Sequence, residues 1–412
     1  MRFSFTKNIL ITCFAFLPIS GFAQSDISQM PDPKNWDMVL NEAKGQSVYF
    51  NAWGGAPNIN SYIAWVSDEV FAQYGIRLEH VKLSNTADAV NRVLAEKKAK
   101  RNQGGAIDLV WINGENFASM KNQNLLLEKG WSYDLPNYSL ADIEGKKVLS
   151  YDFSEPVDGL ESPWGTAQFS FYYDSAELSE VPTNLDGLAK WIKENPSRFT
   201  YADASNFIGN TFLKQLALGL IDDKSVFSKP VEEANFDKLT APLWAWLDDI
   251  HPYLWRKGKI FARDTTHLKT LLSDNEISIA MTFNLGEASS AIKEGILPKT
   301  TRSFVLDYGS IGNAHFVTIP FNANAKAGAM VVANFMLSPI AQAKKLDENI
   351  WGDPSVLAYE KLSESDKVLF DDLTQGAATL GAEELGKLIN EPDASWSEAF
   401  KKEWLKRYGA GG

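Results

Sequence analysis

Cysteine is almost missing from this chain. The single one, Cys13, stands near the start, so a chain trimmed behind it holds no thiol and no disulfide. Histidine is scarce as well. His80, His251, His267 and His315 lack the spacing that metal ligands need. No HExxH, GxSxG or Walker-type phosphate loop occurs, so the common zinc-protease, hydrolase and nucleotide-binding signatures are absent. Basic residues are outnumbered, 40 Lys and Arg against 52 Asp and Glu, and form no stripe. Nucleic acid and anionic lipid are therefore poor partners. Past the N-terminus, no apolar run reaches the roughly 20 residues of a membrane span. Neither repeats nor low-complexity tracts interrupt the chain.

What is present begins with an export signal. Arg2 and Lys7 precede an apolar stretch from Ile9 through Leu17 to Ile19, which ends at Gly21-Phe22-Ala23. Small residues at the last and third-last positions suit cleavage before Gln24, so residues 1–23 read as a signal peptide and the mature chain as periplasmic. A buried N-terminal helix is the plain alternative. Cys13 is a poor lipid-attachment site, because Thr12 precedes it and cleavage there would cut the apolar region. Removing the signal leaves 389 residues and moves the formal net charge from -12 to -14. That length exceeds what one core supports, so two domains are expected. A hydrophobic fraction of 45% and 13 Trp mark a globular chain rather than a disordered one.

Strand and helix signals alternate. Val48-Tyr49-Phe50 reads as a buried strand followed by Trp53-Gly54-Gly55. Pro57 suits a first helical turn, Ile59, Ile63, Val66 and Val70 recur at helical spacing, and Gly75 stops the run. Ile76 and Leu78 then alternate as in a strand. Val90, Val93 and Leu94 share a helix face behind Asn85 or Thr86. Ile107 to Ile112 is a third strand, ending in Asn113-Gly114-Glu115-Asn116. Such an order predicts parallel pairing with crossover helices, and ligands bind at the carboxyl ends of such strands. Ser162-Pro163-Trp164-Gly165 punctuates the chain. A second α/β unit follows, with strands at Gln168–Tyr173 and Ile277–Met281 and helices at Leu185–Ile192 and around Phe212, Leu213 and Leu216. Phe316 to Pro320 is strand-like, Ala327 to Leu337 helical, and the residues from about Lys344 read as charged amphipathic helices.

Three segments carry a resemblance. Trp164-Gly165 followed by Phe171-Tyr172-Tyr173-Asp174-Ser175 is similar to the first crossover of the type II periplasmic solute-binding proteins, with Tyr173 in place of the usual Asn. Asp274-Asn275-Glu276-Ile277 through Ala280-Met281-Thr282 resembles a strand of that family's second domain. Leu337-Ser338-Pro339-Ile340-Ala341-Gln342 resembles one of its helices. Within the family, the chain is most like the YnjB-type branch near the thiamine, polyamine and iron receptors. The resemblance implies a two-lobed α/β fold, each lobe a mainly parallel sheet flanked by helices, hinged by crossing strands. It places residues 24–167 and 305–343 in lobe one, and 168–304 and 344–412 in lobe two. It also implies a monomeric receptor that closes on a small solute and delivers it to the membrane subunits of an ABC importer, with no catalytic residue and no cofactor.

Candidate ligand contacts follow from strand ends and loops. Trp53, Gly54 and Gly55 offer a stacking ring and close backbone approach, or a tight turn with a packed Trp. Asn113 and Glu115 put an amide and a carboxylate at a strand end, or else serve as a helix cap and a first-turn acid. Trp164 and Gln168 flank the expected hinge, with Trp164 alternatively packing in a Pro-bounded turn. Ser205, Asn206 and Asn210 surround a helix start, where capping is the alternative. Asn284 and Glu287 follow a lobe-two strand at the family's usual cleft position, and Tyr308 lies in the hinge or in the core. The aromatics and Glu115 favour an organic cation such as thiamine or a polyamine. An exported carboxylate-dependent hydrolase is the rival. A ferric-ion carrier using Tyr172 and Tyr173 is disfavoured, because adjacent strand residues face opposite sides.

Overall fold

The computed structural model describes Met1 and residues 30–409, apart from 129, 375, 382 and 383. The signal peptide expected at 1–23, with Cys13, lies outside the described residues save for Met1. The chain opens with α1 (Trp36–Ala43), β1 (Ser47–Trp53), α2 (Pro57–Tyr74), β2 (Arg77–Leu83), α3 (Ala87–Lys98), β3 (Leu109–Ile112) and α4 (Glu115–Asn122). A short hairpin, β4 (Tyr151–Asp152) and β5 (Glu155–Pro156), leads to β6 (Glu161–Gln168) and β7 (Ser170–Asp174). There follow α5 (Leu185–Glu194), α6 (Phe207–Leu220), α7 (Phe236–Ile250), α8 (Thr265–Ser273), β8 (Ile279–Thr282), α9 (Glu287–Lys293) and β9 (Thr301–Phe304). Then come β10 (Ser310–Thr318), α10 (Lys326–Met336), α11 (Pro339–Leu346), α12 (Glu364–Asp371), β11 (Leu388–Asn390) and α13 (Ala394–Tyr408).

The reasons these elements form are local. In α2, Pro57 sits in the first turn and needs no backbone partner. Ile59, Ile63, Val66 and Val70 bury one stripe. Gly75 adopts φ 70°; its N–H donates to the Phe71 carbonyl and the Ile76 N–H to the Val70 carbonyl, which closes the helix. β1 pairs in parallel with β2 and β3, as helical crossovers require. β10 then joins β3 antiparallel and β11 parallel.

Two hydrophobic cores result. One gathers β1, β3, α2, α10 and their neighbours around Phe50, Tyr62 and Met330. The other gathers α6, α7, α13 and β8 around Phe212, Leu243 and Trp404. Antiparallel β6 and β10 pass between them. Both ladders of the second sheet are antiparallel, because its central strand β7 returns from the hinge and runs opposite to β8 and β9. Phe199 and Ala202 extend that lobe by parallel bridges.

Two expectations are corrected. Ser162-Pro163-Trp164-Gly165 is no break but the middle of β6, and Gln168 ends that strand rather than opening the next. The ladder to β10 skips Trp164, a bulge that keeps the strand going past Pro163. Proline is tolerated because β6 is an edge strand. The block 344–412 does not pack as one piece. Trp351, Val356, Leu357 and Leu362 join the first core, whereas Ala378, Trp396, Phe400 and Trp404 join the second. Leu306 and Ile311 also belong to the second core rather than the first.

Candidate functional site

Parallel pairing brings the carboxyl ends of β1 and β3 to one edge of the first lobe. β1 ends at Trp53, whose indole remains 40% exposed. The ring folds over Gly55, where a Cβ would come within 2.3 Å of it. Gly54 is held between the Leu83 carbonyl, which accepts its N–H, and the Asn60 amide, which donates to its carbonyl at 3.0 Å. At the end of β3, Gly114 rather than Asn113 occupies the N-cap of α4, and no side chain caps the helix. Gly114 has φ 59° and ψ -127°, a conformation natural only to glycine. Its missing Cβ leaves room for the Phe153 ring, 2.7 Å from where that atom would lie. Asn113 is therefore half-exposed and Glu115 exposed at this edge.

Most of the lobe-two candidates are tied into structure. Asn206 caps α6 by accepting the Ile208 N–H at 3.1 Å, and Ser205 beside it is exposed. Asn210 is buried and donates to the Ser397 carbonyl at 2.8 Å, which joins α6 to α13. Asn284 accepts the Gly286 N–H at 3.2 Å. Glu287 accepts the Thr282 hydroxyl at 2.5 Å and pairs with Lys269 at 3.2 Å. Gln168 donates to the Leu385 carbonyl. Tyr308 donates to the Gln215 carbonyl at 2.8 Å, and burial pushes its phenol well up. Tyr172 is fully buried while Tyr173 is only half-buried, so the pair does not converge on one point.

Trp164 is fully buried in a stack of rings with Tyr62, Trp111, Trp351 and His315. Beside it, Asp353 accepts from Lys345 and from His315 at 2.9 Å. Burial opposes the Asp353 charge, but the adjacent Lys345 and His315 outweigh it and hold its pKa below the ordinary value. The carboxylate reaches in because Gly165 has no side chain; a Cβ there would lie 2.1 Å from its Oδ2.

The lobes close on each other around a set of residues that sequence reasoning missed. Lys214 of α6 donates to Glu391 at 2.5 Å, and their side chains are 2% and 0% exposed. The ammonium also lies 4.9 Å from the Phe153 ring of lobe one and 5.7 Å from the Phe207 ring of lobe two. Asn313, from the hinge strand β10, donates to the other Glu391 oxygen at 3.3 Å. Asp152 accepts the Gly114 N–H at 2.7 Å. Burial, helped by the nearby Glu391 and Glu155 charges and opposed by the Gly114 hydrogen bond, raises the Asp152 carboxyl to about 8. Glu161, buried and close to Asp152, is raised well above the ordinary range by desolvation. A cavity of about 10 Å³ borders Phe153, Asn313 and Glu391, room for about one water. Phe207 meets Phe283 at 5.2 Å, which brings the Asn206 and Asn284 loops to this same meeting of the lobes.

One sequence signal for Lys214 was available. Every residue from Ile208 to Leu218 is buried, and a lone lysine in such an apolar helix demands a partner. Its identity was not readable, because Glu391 lies 177 residues away.

Comparison with known proteins bears on this arrangement. A model of the bacterial extracellular solute-binding protein family matches residues 66–364. Protein YnjB of Escherichia coli (strain K12) is 43% identical over 375 residues, covering 91% of this chain and 94% of that one. Among solved structures, the Tp0655 (TpPotD) lipoprotein of Treponema pallidum aligns with a TM-score of 0.63 at 15% identity, covering 88% of this chain and 99% of that one. The spermidine/putrescine ABC transporter substrate-binding protein PotD of Streptococcus pneumoniae aligns at 0.62 with 19% identity, covering 89% and 100%. These two support the fold alone. With two cores joined by crossing strands and a family match over most of its length, the chain belongs to the bacterial extracellular solute-binding proteins, in the YnjB-type branch, and is a binding protein rather than an enzyme.

Proposed function

We propose that the protein is the periplasmic receptor of an ABC importer, and that it closes its lobes on an organic cation such as thiamine or a polyamine. The observation that carries the ligand class is charge. Two buried carboxyl groups, Asp152 and Glu391, lie near the meeting of the lobes, with the buried ammonium of Lys214 on Glu391. Burial holds Asp152 protonated, and a cation beside it would favour its ionised form, whereas an anion would oppose it. Trp53 and Glu115 at the open edge of lobe one supply an exposed ring and an exposed carboxylate for first contact. Delivery to importer membrane subunits follows the role named for the pneumococcal neighbour. The working unit is a monomer, because capture needs only the two lobes of one chain.

The test is a thermal-unfolding screen of the chain from Gln24 onward against thiamine and its phosphates, polyamines, amino acids, sugars, oxyanions and ferric salts. A ligand that binds only the folded state raises the midpoint by mass action. Organic cations are expected to raise it, without product formation, and Glu115→Gln to weaken the effect. A shift confined to sugars, oxyanions or ferric ion would overturn the cation reading.

A further inference from the structure

The group that sits where the lobes meet is already a cation, and it belongs to the protein. The Lys214 ammonium is bounded by the Glu391 carboxylate at 2.5 Å, the Phe153 ring at 4.9 Å and the Phe207 ring at 5.7 Å. Two ring faces and a carboxylate form a box suited to an alkylammonium group, since the negative faces of the rings attract a cation most strongly where water is excluded. Asn313 completes the box from the hinge. It is only 4% exposed, it borders the cavity, and its Oδ1 has no hydrogen-bond partner. Unsatisfied buried acceptors are costly and point to a donor still to be supplied.

We propose that this box is the recognition site for the ammonium group of the solute, and that Lys214 fills it as a tethered stand-in when no solute is bound. The proposal deepens the receptor reading above and rests on it.

The box draws on both lobes and on the hinge. Phe153 precedes the crossing strands, Phe207 and Lys214 lie on α6, and Asn313 lies on β10. Whatever fills it therefore favours the closed arrangement. A solute cannot enter beside the lysine, because the adjoining cavity of about 10 Å³ holds about one water. Lys214 must leave first, and its flexible four-carbon stem permits that once the lobes part. The exchange conserves charge: one ammonium leaves Glu391 for water, another takes its place, and no proton moves. A free receptor closed on its own lysine is not competent to bind, so the apparent affinity falls by the fraction of molecules that are open.

The experiment compares the chain from Gln24 onward with its Lys214→Met variant, which keeps an apolar stem and removes the charge. Titration calorimetry with n-butylammonium chloride, butan-1-ol and inorganic phosphate reads binding, and small-angle scattering reads lobe closure. Lys214→Met is expected to bind butylammonium saturably and about tenfold or more tighter than the parent, with butanol inert, because the internal competitor is gone. The ligand-free variant is expected to be more open than the parent and to close on adding butylammonium. If Lys214→Met does not fold by circular dichroism, Lys214→Gln, which can still donate to Glu391, is measured in its place. Butylammonium binding no tighter than in the parent, or tighter binding of phosphate instead, would overturn the proposal. A variant that takes butylammonium while the parent responds to no organic cation keeps the box but removes the cation-receptor reading.

Discussion

Two buried lysines, one on each side of the hinge, solve the same problem in opposite ways. Lys345 pairs with Asp353, Asp353 also binds His315, and the Lys345 ammonium reaches the Pro354 carbonyl at 2.9 Å. All these groups sit with the first lobe, around the ring stack at Trp164 and Trp351. Lys214 pairs with Glu391 where the second lobe meets Phe153 of the first, and its surroundings leave the Asn313 Oδ1 unmet. A saturated network within one lobe is suited to holding a fixed shape. An under-satisfied one between lobes is suited to exchanging its occupant.

Breaking the fixed network should cost most. Asp353→Ala strands the buried Lys345 charge, and we expect a loss of about 3–5 kcal/mol in urea unfolding. A loss under about 1 kcal/mol would show that the cluster is not the rigid one. The interlobe network should instead show itself through pH. The Asp152 carboxyl titrates near 8 in the folded chain, far above its unfolded value. The folded state therefore binds a proton that the unfolded state has lost between about pH 4 and pH 8, and stability falls as pH rises through that window. Asp152→Asn, which mimics the protonated acid, should flatten this fall and gain a few kcal/mol at pH 8, at about 1.4 kcal/mol per pH unit. Parallel stability–pH curves for parent and variant would contradict the assignment.

A smaller effect tests how tightly the hinge is packed. Gly165→Ala places a Cβ 2.1 Å from Asp353 Oδ2, and a cost of about 1–3 kcal/mol in thermal unfolding is expected for such overpacking. The smallest effect on stability is expected at the open edge. Trp53→Ala should cost no more than about 1 kcal/mol in unfolding, because the residue keeps 40% of its surface in solvent. It should nevertheless weaken solute binding in calorimetry; an unchanged affinity would remove Trp53 from the site.

What was legible in the chain follows range. α2 could be bounded from Pro57 and Gly75 because capping depends on neighbouring residues alone. The strand-end loops at Trp53 and Asn113 could be placed because parallel order follows from alternation. Trp164 misled. Its Ser-Pro-Trp-Gly context looks like a turn, and only pairing with β10 turns it into a bulged strand with the indole in the core. Glu287 carries recognition chemistry in isolation, yet Lys269 of α8 and the Thr282 hydroxyl consume it, and the Asn210 amide group donates to the Ser397 carbonyl of α13.

The sequence by itself therefore determined helices such as α2, the strands β1 to β3, the family resemblance and the negative balance, since each depends on short-range pattern or composition. Only the tertiary structure decided which charges are buried and with whom. Lys214 and Glu391 lie 177 residues apart, and a buried ammonium is tolerable only where folding delivers a carboxylate to it.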